Sequence, residues 1–167
     1  IDEALFLGTR TAILNVGGIL EQYDRPEVIL ASPTNAFVED FLGGERGLKR
    51  LALLPVGDAE MEPGPFVELG TGTDEARRVM SANGTDWLGL LDQGRLLGWV
   101  GADEVGSRPL AVLEPRPFLV TLKSDSSLRQ ALDAVVTGHA RVAVVVDDAG
   151  TYLGMLDLEA IAEEITE

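Results

Sequence analysis

The chain has 167 residues, 46% of them hydrophobic but only 5% aromatic, enough aliphatic material for a core in one ordinary domain or two small ones and too much for a disordered chain. Twenty-eight acidic residues against 13 basic ones leave a net charge of −15, which repels phosphate backbones and anionic lipid alike, so no nucleic-acid polymer is expected as a partner. Cysteine is absent and His139 is the single histidine, which excludes disulfides, thiolate chemistry and Cys-held metals and leaves little for a His-based metal or triad site.

No apolar run approaches the ~18 residues of a membrane span, so direct membrane insertion is not expected. Ile1-Asp2-Glu3 lacks the basic flank and apolar stretch of a signal peptide. The missing initiator Met is expected of a piece of something longer.

In chain order, Asp2–Leu7 reads as a short helix halted by Gly8. Arg10–Asn15 and Ile19–Tyr23 flank Gly17-Gly18 as a hairpin. Asp24, near the cap, and Pro26, in the first turn, start a helix that Ser32-Pro33 ends; Asn35–Leu42 makes another before Gly43-Gly44. The glycines from Gly43 to Gly47 mark a boundary, and Leu48–Leu54 is predicted helical.

A unit then occurs twice. The first copy is strand Phe66–Leu69, helix Asp74–Ala82, strand Trp87–Leu91, a turn at Asp92-Gln93-Gly94, strand Arg95–Val100 and a short helix near Asp103–Val105. The second is strand Phe118–Leu122, helix Ser126–Val136, strand Val142–Val146, a turn at Asp147–Gly150, strand Thr151–Leu156 and helix Asp157–Ile165. Phe66 aligns with Phe118, Ala76-Arg77 with Leu128-Arg129, and Leu97-Gly98 with Leu153-Gly154, as a duplicated βαββα unit requires. Val142–Val146 is the unbroken apolar run of a strand covered on both faces. Leu128, Ala131, Leu132 and Val135 lie on one helical face, with Ser126 or Ser127 available as its cap.

Residues 1–47 resemble the end of an ABC-transporter nucleotide-binding domain. The resemblance rests on Asp2–Leu5, Gly8–Ile13, Gly18–Asp24, Pro26–Ala31, Pro33 and Asn35–Gly43, read in order. The repeats, 48–107 and 108–167, resemble a tandem CBS pair on their Leu-Gly hairpins. The combination is similar to the ATP-binding subunit of glycine betaine, proline, carnitine or choline importers. That resemblance implies an α/β (α+β) fold, two βαββα units related by a pseudo-two-fold axis behind a truncated ATPase tail. It also implies a homodimer through the CBS modules, a transmembrane permease subunit reached through the full-length ATPase, a cytoplasmic place at the inner face of the membrane, and osmoregulation of transport.

No catalytic apparatus is legible in the chain. It has no Gly-x-x-x-x-Gly-Lys-Ser/Thr loop and no Gly-x-Ser-x-Gly elbow. The adjacent acids Asp103-Glu104, Asp147-Asp148 and Glu163-Glu164 fit solvated surface or turns, since neighbours on a helix share no face. ATP hydrolysis would belong only to the full-length parent.

The family's ribose motif, Gly-x-x-Thr/Ser-x-x-Asp, is degenerate here: Gly98-Trp99-Val100-Gly101-Ala102-Asp103-Glu104 and Gly154-Met155-Leu156-Asp157-Leu158-Glu159-Ala160 both lack the hydroxyl. Glu104 can still serve a ribose, whereas Ala160 cannot and Asp157 would repel a phosphate. Ordinary AMP or ATP binding is thereby disfavoured. An adenine dinucleotide, cyclic di-AMP, remains open across a dimer interface, as the resemblance implies for related importer subunits. Trp87, Val142 and Val144 would then face adenines, and Arg141, His139 and Lys123 the phosphates. Plain core burial of Trp87 and the valines, and a loop role for His139, are the simpler readings. Arg141 stands out because a cation opening a buried strand needs an anionic partner. A ligand-free CBS scaffold that only dimerises two ATPase subunits is the alternative. Lipid sensing by a basic patch finds no support, because residues 48–167 hold 10 basic and 20 acidic residues.

Overall fold

The computed structural model describes residues 1–166; Glu167, the last residue of the expected second module, lies outside them. The N-terminal segment forms α1 (Asp2–Leu7), β1 (Thr11–Asn15), β2 (Ile19–Asp24), α2 (Pro26–Ala31) and α3 (Ala36–Leu42). Gly17 and Gly18 both take positive φ, +82° and +77°, and turn β1 back antiparallel onto β2. Pro26 opens α2, where its missing N–H costs nothing. The cap position is Arg25 and not Asp24, whose carboxylate instead accepts the Arg25 N–H at 2.8 Å. Asn35 caps α3 by accepting the Val38 N–H at 3.0 Å.

Leu5, Ile13, Ile29, Leu30, Val38 and Leu42 form a small core of this segment, and Leu53 packs against it. α4 (Arg46–Leu51), which begins and ends earlier than 48–54, joins it to the rest. Lys49 pairs with Asp2 at 3.2 Å, while Arg50 donates to the Ile165 carbonyl at 3.0 Å. The segment therefore rests on the repeats and does not project alone.

The repeats comprise β3 (Phe66–Glu68), α5 (Thr73–Asn83), β4 (Trp87–Asp92) and β5 (Arg95–Gly101), then β6 (Thr121–Leu122), α6 (Leu128–Thr137), β7 (Ala143–Val146), β8 (Tyr152–Leu156) and α7 (Leu158–Thr166). Both sheets run parallel then antiparallel, β3-β4-β5 and β6-β7-β8. Both hairpins shift register at matched places, between Leu90 and Leu91 and between Val145 and Val146. β7 is buried at all four positions, as its unbroken valine run demands. Ser127, of the two candidate serines, caps α6 in a reciprocal box with Gln130.

The expected helix at Asp103–Val105 does not form. Gly106, at φ +105°, and Pro109 leave no room for a helical turn to propagate. The Arg77 guanidinium lies where a Gly106 side chain would be and donates to the Val105 carbonyl at 3.2 Å. A single 3-10 turn at Leu110–Val112 follows.

The stretches leading into the two repeats cross over. Leu51, Val56 and Ala59 pack in the core of α6, β7 and α7. Leu110 and Leu113 pack in the core of β4, β5 and α5. Glu62 then pairs with Met155 beside β8, and Arg116 with Trp99 on β5. These crossings explain the repeated Leu-Gly. A Cβ on Gly98 would overlap the Arg116 carbonyl, and one on Gly154 would lie 2.7 Å from the Met61 Cβ. They also explain why β6 has two residues instead of five: until Arg116 the chain is hydrogen-bonded to the other sheet. The hairpin tips meet through Leu96 N–H to Gly150 O at 3.0 Å and Tyr152 N–H to Gly94 O at 2.9 Å.

Candidate functional site

β5, the second leader and the end of α6 with its following loop enclose a cleft of about 370 Å³. β5 supplies Trp99, the second leader supplies Arg116, Phe118 and Leu119, and the α6–β7 loop supplies His139 and Val142. The His139 imidazole stacks on the Trp99 indole, centroids 4.9 Å apart and planes 16° from parallel. The Arg116 guanidinium carbon sits 4.9 Å from the Trp99 ring centroid. Arg116 also pairs with Glu104 at 2.9 Å, and Glu104 accepts the Gly101 N–H at 2.9 Å. Behind Phe118, the Phe66 ring stacks between Phe118 and Tyr152, and Trp87 meets Phe66 and Phe118 edge-on, forming one aromatic layer between the repeats. Burial there pushes the Tyr152 phenol far above its ordinary value, and its hydroxyl donates to the Pro63 carbonyl at 3.0 Å. Apolar walls, a stacked indole and imidazole and one guanidinium suit a flat heteroaromatic ring that carries an anion.

A second cleft, beside the first leader and α7, has the opposite chemistry. It measures about 350 Å³ and is lined by Glu60, Glu62, Asp157, Glu159, Ala160 and Glu163. Its Glu62 bridges to Met155 of β8 as Arg116 bridges to Trp99 of β5, but α7 forms its other wall. An anion that enters it meets carboxylates on several sides. No cluster of His, Cys, Asp and Glu able to hold a metal occurs among the described residues.

Of the residues singled out in the sequence, His139 and Val142 line the first cleft, and Glu104 binds its arginine. The others lie elsewhere. Trp87 is 3% exposed within the aromatic layer and Val144 is 1% exposed on β7, so both are core. Lys123 turns to the Asp147 carbonyl and to Asp148 at 3.6 Å, away from the cleft. Asp157 accepts the Ala160 N–H at 2.9 Å and so caps α7.

Arg141 corrects the sequence expectation most clearly. It opens no buried strand, because β7 begins at Ala143. It is exposed in a left-handed turn at φ +56° and donates to the Val136 carbonyl at the end of α6, at 3.0 Å. Its partner here is a carbonyl left open by the helix end.

Trp99, Arg116 and Phe118 were not singled out. Two signals pointed to them: an aromatic directly after the repeated Gly98, and an arginine held between Pro115 and Pro117 where the second repeat begins.

Residues 111–167 match the CBS domain family. Over 99% of its length the chain is 32% identical to the osmoprotectant import ATP-binding protein OsmV of Salmonella typhimurium, covering 44% of that protein. Over 98% it is 25% identical to the carnitine transport ATP-binding protein OpuCA of Listeria monocytogenes, covering 42% of it. The chain thus spans less than half of the relatives it matches. The CBS-pair protein CBSX2 of Arabidopsis thaliana has the same fold, with a TM-score of 0.54 at 19% identity over 66% of this chain and 92% of that one. CBSX2 has also been solved in complex with AMP; that structure gives a TM-score of 0.52 at 19% identity, over 66% of this chain and 94% of the other.

Proposed function

We propose that this chain, a tandem CBS pair homologous along its length to the C-terminal parts of osmoprotectant and carnitine importer ATP-binding subunits, is the regulatory module of such a subunit and takes an adenine nucleotide in the Trp99 cleft. The parent would be a cytoplasmic transport ATPase that works with a permease, and the module would form a homodimer. The observation that carries the ligand reading is the contrast between the clefts. One offers an indole, an imidazole and a guanidinium, and the other, between the first leader and α7, offers carboxylates. An adenine would stack beside Trp99 and Phe118, and its phosphate would meet Arg116.

Cyclic di-AMP, AMP and ATP are separated by stoichiometry as well as affinity. A mononucleotide confined to the Trp99 cleft binds once per chain, because the acidic cleft rejects a second. Cyclic di-AMP shared across a homodimer binds once per two chains. A ligand at about 100 times its dissociation constant stabilises the fold by about 2.7 kcal/mol. Thermal melts with the three nucleotides, followed by calorimetry, test the reading. A shift abolished in Trp99→Ala supports it. No shift and no heat with any of the three would leave a ligand-free dimerisation scaffold.

A further inference from the structure

We infer that the Glu104 carboxylate occupies the anion seat of the Trp99 cleft, so that a ligand's phosphate must displace it. Two donors converge there on one oxygen: the Arg116 guanidinium at 2.9 Å and the Gly101 N–H at 2.9 Å both meet Glu104 Oε2. Arg116 is at once the cation that lines the cleft, the group over the indole and the partner of Glu104. A phosphate drawn to Arg116 therefore competes with a tethered carboxylate of like charge. Ion pairs between partly exposed groups contribute little, so the seat is occupied but exchangeable. Asp103, exposed beside Gly101, adds repulsion through space but is not seated on Arg116.

This assigns Glu104 a role opposite to ribose binding. As a ribose acceptor it would strengthen ligand binding, and its removal would weaken it. As an anion mimic it holds the cleft closed to weakly charged ligands and raises the ligand concentration at which the module responds. The identity of the ligand as a nucleotide rests on the function proposed above; the seat itself does not.

The test uses the whole chain as wild type, Glu104→Gln, Asp103→Asn and Arg116→Ala, with ATP and inorganic pyrophosphate as probes in calorimetry at fixed salt. The expected gain in Glu104→Gln is on the order of fivefold for both probes, the scale of a partly exposed ion pair. Asp103→Asn removes the same charge and should gain much less, and Arg116→Ala should lose binding. Pyrophosphate that binds Glu104→Gln more tightly while ATP binds no variant would sustain the seat and sink the nucleotide reading. Weaker ATP binding in Glu104→Gln would show a ribose acceptor and overturn the proposal. Equal gains in Asp103→Asn and Glu104→Gln, or pyrophosphate binding that Glu104→Gln leaves unchanged or undetectable, would overturn it as well.

Discussion

Replacing Gly98 with alanine attacks the contact that joins the two repeats. Gly98 lies at φ +146°, and an alanine Cβ would overlap the Arg116 carbonyl. A side chain in such a backbone region costs roughly 1–3 kcal/mol. The displaced carbonyl belongs to a reciprocal pair, Trp99 N–H to Arg116 O at 2.9 Å and Arg116 N–H to Trp99 O at 2.8 Å. Losing both adds about 1 kcal/mol each, for a total of roughly 3–5 kcal/mol against a typical domain stability of about 5–15 kcal/mol. Urea unfolding followed by far-ultraviolet circular dichroism measures the loss. Gly70→Ala is the control, since a Cβ there meets nothing within 4 Å, and its effect should be neutral or slightly stabilising. Because Arg116 moves with its backbone, nucleotide binding at the Trp99 cleft should weaken too. A Gly98→Ala midpoint indistinguishable from that of Gly70→Ala would show that the crossing leader does not hold the sheets as described.

Leu90→Ala, at a position 0% exposed in the first repeat's core, should cost about 2–5 kcal/mol in the same unfolding assay. Ser127→Ala removes the capping box of α6 and should cost about 1 kcal/mol, while Ser127→Asp should recover most of it. Burial raises the Tyr152 phenol above its ordinary value of 10.0. Its contribution is therefore full below that pH and is lost as pH rises through and beyond it, because the unfolded chain ionises first; denaturation midpoints from pH 8 upward should show a decline that Tyr152→Phe lessens. Arg141→Ala should leave nucleotide affinity unchanged in calorimetry, since its guanidinium serves the Val136 carbonyl.

Element order was readable because it depends on local pattern. Alternating apolar faces, the Gly17-Gly18 turn, Pro26 at a helix start and the valine run of β7 each act over a few residues, and the structure places an element at each. The duplication was readable for the same reason, since both copies carry the same hairpin glycine. The helix near Asp103 failed because Gly106, Pro109 and the distant Arg77 acted together, and only the last of these is invisible in a local window.

The cleft was hidden for a different reason. Its walls come from β5, a leader that crosses from the other repeat, and a loop some forty residues beyond β5. Arg141 and Lys123 stand out in the sequence as cations available to a ligand's phosphates, but a strand register or a left-handed turn decides which way a side chain faces. By itself the sequence determined a duplicated α/β unit, an acidic surface and the absence of a phosphate loop, properties set by composition and short-range periodicity. Tertiary structure alone decided that Arg116 rather than Arg141 faces Trp99, and that Glu62 occupies the equivalent place opposite Met155. The physical reason is the close passage of each leader over the other repeat's glycine, which brings residues distant in the chain into hydrogen-bonding contact.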